Sequence, residues 1–110
     1  MAVTYKVLGQ SEPAAATLTT LYTVPGATSA VVSSLTVCNL LTTTQTFRVA
    51  VRPAGAAIDN KHYLHYDVQI PGNDTFVLTI GITLATTDVV SVYSANANAL
   101  AFSLFGVENT

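Results

Sequence analysis

Charge is scarce in this chain. Of its 110 residues only four are Lys or Arg and six Asp or Glu, so charged residues make up 9 %, where soluble domains average about 25 %. The four basic residues, Lys6, Arg48, Arg52 and Lys61, do not form a block. Nucleic-acid binding draws on clustered Lys and Arg that displace counterions, so no nucleic-acid partner is expected. Trp is absent, which removes the commonest stacking platform for sugars and bases.

A single cysteine, Cys38, allows no internal disulfide. Small secreted domains usually depend on such bonds, so synthesis in a reducing compartment is expected. No apolar run reaches the roughly 20 residues of a membrane-spanning helix. The nearest, "FVLTIGITLATTDVVSVY", is interrupted by Thr, Gly81 and Asp88, and "MAVTYKVLGQ" has no apolar segment of signal-peptide length. A protein made in the cytoplasm, with no membrane partner, is the expectation.

Hydrophobic residues, by contrast, make up 50 %. One domain with one core fits this length, and a charge-poor surface suits a protein packed against neighbours. The apolar residues recur every second position. In "TFRVAVRP", Phe47, Val49 and Val51 share one face while Arg48 and Arg52 share the other, and Pro53 closes the strand. In "TFVLTIGITL", Phe76, Leu78, Ile80, Ile82 and Leu84 alternate with Val77, Thr79, Gly81 and Thr83; Gly81 marks a bulge or a bend between two strands. "LAFSLFG" sets Leu100, Phe102 and Leu104 on one side. Further strands are read at 3–8, 20–24, 30–39 and 88–94, separated by turn sequences such as Pro25-Gly26, "RPAGAA", Pro71-Gly72-Asn73-Asp74 and "SANANA". Seven to eight such strands predict an all-β, antiparallel sandwich or jelly-roll-like fold. Residues 1–20 read as an N-terminal strand and arm or connector, and 21–110 as the sandwich. "VPGATSAVV" at 24–32 echoes "IPGNDTFVL" at 70–78, both using a Pro-Gly turn to enter a strand.

Both histidines fall in "NKHYLHYD". On a strand ending before Pro71, His62, Leu64, Tyr66, Val68 and Ile70 form the apolar face; Tyr63, His65, Asp67 and Gln69 form the polar one. The two imidazoles then point to opposite sides, and no metal site is expected. Cys38, in "LTVCNL", has no local base or positive charge and reads as a buried packing residue. Serine-hydrolase, phosphate-loop and dinucleotide signatures are absent. The expectation is a non-enzyme with no cofactor and no catalytic residues. Tyr63, His65 and Asp67 form an outward strip that is either solvated or a subunit contact. Arg48 and Arg52 either pair with acidic neighbours such as Asp59 or Asp67, or anchor an interface.

The strings "LYTVPGATSAVVSSLTVCN", "TFRVAVRPAGA", "DVVSVYSANA" and "LFGVE" together resemble small β-sandwich virion proteins of tailed bacteriophages, from about residue 18 onward. The resemblance implies a structural protein of the virion, made in the host cytoplasm, that decorates or cements the capsid or forms part of the tail and its adhesion apparatus. Its implied partners are the major capsid protein or other virion subunits, in a homo-oligomer. Tyr5 and Val7, on the strand at 3–8, are then candidate contacts, since such a strand can add to a neighbour's sheet edge.

Overall fold

The computed structural model describes residues 2–110. It is an antiparallel β-sandwich, with nine strands among those residues: β1 Val3–Ser11, β2 Thr19–Thr23, β3 Ser29–Asn39, β4 Gln45–Arg52, β5 Tyr63–Ile70, β6 Thr75–Leu78, β7 Thr83–Leu84, β8 Val89–Ser94 and β9 Leu100–Asn109. Sheet A runs β1-β9-β3-β6, with β7 also on β3, and sheet B runs β2-β8-β4-β5. Helical structure is limited to two 3₁₀ turns, Pro53–Gly55 and Asn60–His62. The run from Phe76 to Leu84 splits into two strands at Gly81, whose φ of +55° breaks the ladder. That split supplies the ninth strand.

The core is built by the alternation legible in the sequence. Phe47 and Val49 of β4, Val90 and Val92 of β8, Leu35 and Val37 of β3, and Leu100, Phe102 and Leu104 of β9 are all fully buried between the sheets. Each contributes on the order of 1.5–3 kcal/mol by leaving water. Phe47 lies at the centre, edge-on to Phe76 (5.8 Å between centroids) and Phe102 (6.2 Å). Gly9 lets the sheets meet where β1 passes β2: a β-carbon there would lie 2.1 Å from the Leu21 carbonyl oxygen. The segment expected to be an arm contains β1, paired with β9 from Val3 to Ser11, and a connector that bridges Ala15 to Ser94. It lies on its own domain.

Two expectations are corrected. The first concerns β5. Three residues of β4, Phe47 to Val49, oppose four of β5, Val68 to His65, and a second register shift falls between Val49 and Ala50. Asp67 takes the extra place with a φ of +52°. This bulge inverts the alternation, because side chains on either side of an inserted residue change faces. Leu64 and Tyr66, expected inside, are exposed, while Val68 and Ile70 keep to the core side. The second correction is Cys38. It is only half-buried and pairs with Thr75 and Ala101 on the outer side of sheet A, one position away from the buried Val37.

Candidate functional sites on the two outer faces

The two histidines do not alternate along one strand as expected: His62 lies in the 3₁₀ turn and His65 on β5. His62 is buried in the 3₁₀ turn ahead of β5, where its Nδ1 accepts the Asp59 N–H (3.0 Å) and the Asp59 carboxylate accepts the Asn60 N–H (2.7 Å). Asp59 is thereby used as a cap. His65 turns inward and sets its ring against Phe47, 6.1 Å between centroids, so it leaves the predicted outward strip. Among the described residues, no three His, Cys, Asp or Glu side chains gather as a metal site would require.

Tyr66 takes the place vacated by His65. On the outer face of sheet B the Arg48 guanidinium lies between two aromatic rings, 4.1 Å from the centroid of Tyr66 and 4.2 Å from that of Tyr93. It donates to Asp67 through Nε (2.7 Å) and a terminal nitrogen (3.4 Å). The Asp67 hydrogen bond raises the Arg48 pKa further above its already high value, so the stack keeps a permanent positive charge. Tyr63 meets Tyr66 edge-on at 4.9 Å, and the two rings line an open recess with Asn60. Of the acidic neighbours named for the arginines, Asp67 is the one engaged. Arg52 instead donates to Ser91 Oγ (3.2 Å) and to the carbonyls of Gly55 (3.4 Å) and Ala56 (3.0 Å). It holds the 53–62 connection over sheet B.

The outer face of sheet A has a different chemistry. Its outward positions include Val3, Tyr5 and Val7 of β1, Phe105 and Val107 of β9, Val31, Thr36 and Cys38 of β3, and Thr75 and Val77 of β6, matched through the registers Tyr5–Val107–Val31 and Val7–Phe105. None of these is charged. Val3, Tyr5, Val7, Val31 and Val77 are 53, 81, 48, 46 and 66 % exposed. Single exposed apolar residues are ordinary; here a row of them runs along one face. Tyr5 and Val7, named from the sequence, thus belong to a larger patch. Val31, Val77, Phe105 and Val107 were not named as contacts, although alternation in the sequence already set Val77 opposite Phe76 and Leu78, and Phe105 opposite Leu104.

Glu108 was missed as well. It sits on the same face of β9 as Leu100, Phe102 and Leu104 and is nearly buried, yet it carries a charge. It accepts the Tyr22 hydroxyl proton at 2.5 Å from across the sandwich, and Lys6 at 3.2 Å from β1. The Tyr22 hydrogen bond, opposed by burial and aided by Lys6, holds the Glu108 carboxyl below its usual pKa. Burial, then Glu108 itself, pushes the Tyr22 hydroxyl up. These partners close the end of the sandwich. The chain matches no known family model, no curated protein and no solved structure.

Proposed function

We propose that this chain is a non-enzymatic structural protein of a bacteriophage virion, a capsid decoration or cement protein that works as a homo-oligomer. The observation that carries the reading is the uncharged, apolar outer face of sheet A. A face of this kind gains stability when it is covered, and a broad surface built on a rigid sandwich suits burial against a capsid lattice. Cementing then works through apolar area removed from water at capsomer junctions, which resists outward strain on the shell. The low charge content and the resemblance to phage sandwich proteins support the same assignment.

The test uses Val31→Asp with Val77→Asp, both exposed on this face and on strands that do not pair with β1. With capsids of the phage that encodes the chain, co-sedimentation of the wild type and loss of binding for the double variant, with an unchanged thermal unfolding curve, is the expected result. Wild-type protein that never co-sediments with capsids overturns the reading.

A second reading, a tail, baseplate or fibre component with a role in host adhesion, is favoured by the opposite face. There Tyr63, Tyr66 and Tyr93 gather around Arg48 beside the recess at Asn60. Aromatic faces flanked by polar groups bind sugars, and binding to host-cell polysaccharide that Tyr66→Ala removes would establish this reading instead.

A further inference from the structure

The four sheet edges of this sandwich are not alike. On sheet B, β2 is five residues long with a register shift at Leu21, and β5 carries two shifts and the left-handed Asp67. On sheet A, β6 and β7 are four and two residues long. Short strands and bulges are what keep edges from pairing with other chains. β1 has neither device along Val3–Val7, which run in unbroken register with β9. Among the described residues, no strand pairs with its other side.

The phase of the β1–β9 ladder fixes which main-chain groups are free. Ala2 and Thr110 exchange both N–H···O bonds, each 2.9 Å. Hydrogen-bonded pairs alternate along an antiparallel ladder, so Thr4 and Lys6 also turn their main chain toward β9. Val3, Tyr5 and Val7 therefore aim three N–H and three C=O groups outward from the edge. We propose that a second copy of this chain pairs with that edge, antiparallel, about a two-fold axis through Tyr5.

That axis satisfies every constraint the edge sets. It places Val3 opposite the partner's Val7 and Tyr5 opposite the partner's Tyr5, all outward-bonding positions, for six N–H···O bonds. It sets apolar against apolar on the outer face. On the inner face it sets Lys6 opposite the partner's Thr4, so no like charges meet. An axis at Lys6 would oppose two lysines and make only four N–H···O bonds, between Tyr5 and Val7 of each copy, in place of six. An inward-pointing lysine is itself a guard against edge pairing. Here Lys6 is drawn to Glu108 at 3.2 Å, so its charge is engaged within its own subunit. Tyr5, 81 % exposed in the single chain, becomes the centre of the seam. Pairing joins two copies of sheet A into one apolar outer face. This seam rests on the reading of the chain as a homo-oligomer and does not depend on which particle it covers.

Sedimentation velocity of the full chain over a concentration series tests it. The expected species is a dimer of twice the 11.5 kDa chain mass, with a Kd on the order of micromolar for so short a seam. Tyr5→Pro removes only an N–H that faces away from β9, a position where edge strands tolerate proline. It should weaken the dimer by at least about 30-fold while the monomer unfolds at nearly the same temperature. Cross-linking keeps the test informative if that variant folds poorly. In a Cys38→Ser background, Tyr5→Cys should oxidise to a covalent dimer and Val3→Cys alone should not, whereas a mixture of Val3→Cys with Val7→Cys should. A wild type that stays monomeric up to about 1 mM, or cross-links that ignore this register, overturns the seam. A monomer that still binds capsids overturns the seam and leaves the decoration reading standing. A Tyr5-centred dimer that ignores capsids does the reverse.

Discussion

Glu108, Tyr22 and Lys6 show how one charged residue can be kept inside a charge-poor sandwich. The Glu108 carboxylate receives a hydroxyl proton from one sheet and an ammonium proton from the edge strand of the other, so its burial is offset by two charge-assisted bonds. The pH consequences follow from the directions of the shifts. Glu108 has a folded pKa below its usual 4.5, so its contribution is present above about pH 4.5 and is lost as pH falls through the lowered folded value. Tyr22 has a folded pKa raised above its usual 10.0, so its contribution is full below pH 10 and is lost as pH rises toward the folded value. Urea unfolding across pH should therefore give a plateau with both shoulders for the wild type. Glu108→Gln should flatten the acid shoulder and weaken the alkaline one. Tyr22→Phe should cost about 1.5–3 kcal/mol at pH 7, the range for a hydrogen bond to a charged group. An alkaline shoulder that survives Glu108→Gln in full would show that burial alone holds the Tyr22 proton.

Among the elements, the two Pro-Gly turns do the same job. Val24-Pro25-Gly26 leads from β2 in sheet B to β3 in sheet A, and Ile70-Pro71-Gly72 leads from β5 in sheet B to β6 in sheet A. In both, the residue before Pro is buried and the residue after Gly is left-handed, Ala27 at +54° and Asn73 at +57°. The sequence echo is thus a repeated sheet-to-sheet crossover. Asn tolerates a left-handed backbone better than Ala, whose β-carbon crowds the carbonyl there. Ala27→Gly should accordingly stabilise the fold by about 0.5–1 kcal/mol, seen as a higher urea midpoint with an unchanged slope. A drop in the midpoint would mean that the Ala27 side chain packs favourably. Buried Asn39 holds the second crossover in place: its amide donates to the carbonyls of Thr43 (2.9 Å), Ile70 (3.2 Å) and Pro71 (3.1 Å). Nothing in "LTVCNL" announces that role, because its partners come from the loop after β3 and from the end of β5.

At the scale of the whole molecule, the sandwich is 45 × 27 × 19 Å, and what distinguishes its outer surfaces is charge. Sheet A presents an apolar exterior, sheet B an arginine stacked among tyrosines. The inner face is where stability resides. Phe47→Ala should cost about 3–5 kcal/mol in equilibrium unfolding, as for other large core truncations. Phe105→Ala, on the outer face of the same sandwich, should cost under about 1.5 kcal/mol, since its ring is only partly covered. Equal costs for the two would place Phe105 in a core role and remove it from the apolar outer face.

Alternation is a local property, so the strands at Phe47–Val51 and Leu100–Leu104, the buried faces they present and the break at Gly81 were determined by the sequence alone. The placing of Arg48 on the face opposite Phe47 and Val49 belongs with them, while its choice of Asp67 as partner does not. The tertiary structure decided the rest. Which residue of β5 would absorb the mismatch with β4 depends on the length of the paired strand, so the inversion that brings His65 to Phe47 and Tyr66 to Arg48 was set by the partner strand, not by β5. The tyrosine stack, the Glu108–Tyr22 bond and the Asn39 crossover each join residues far apart in the chain. Sequence patterns assign a side chain to a face, but only the stacking of two sheets determines what it meets there.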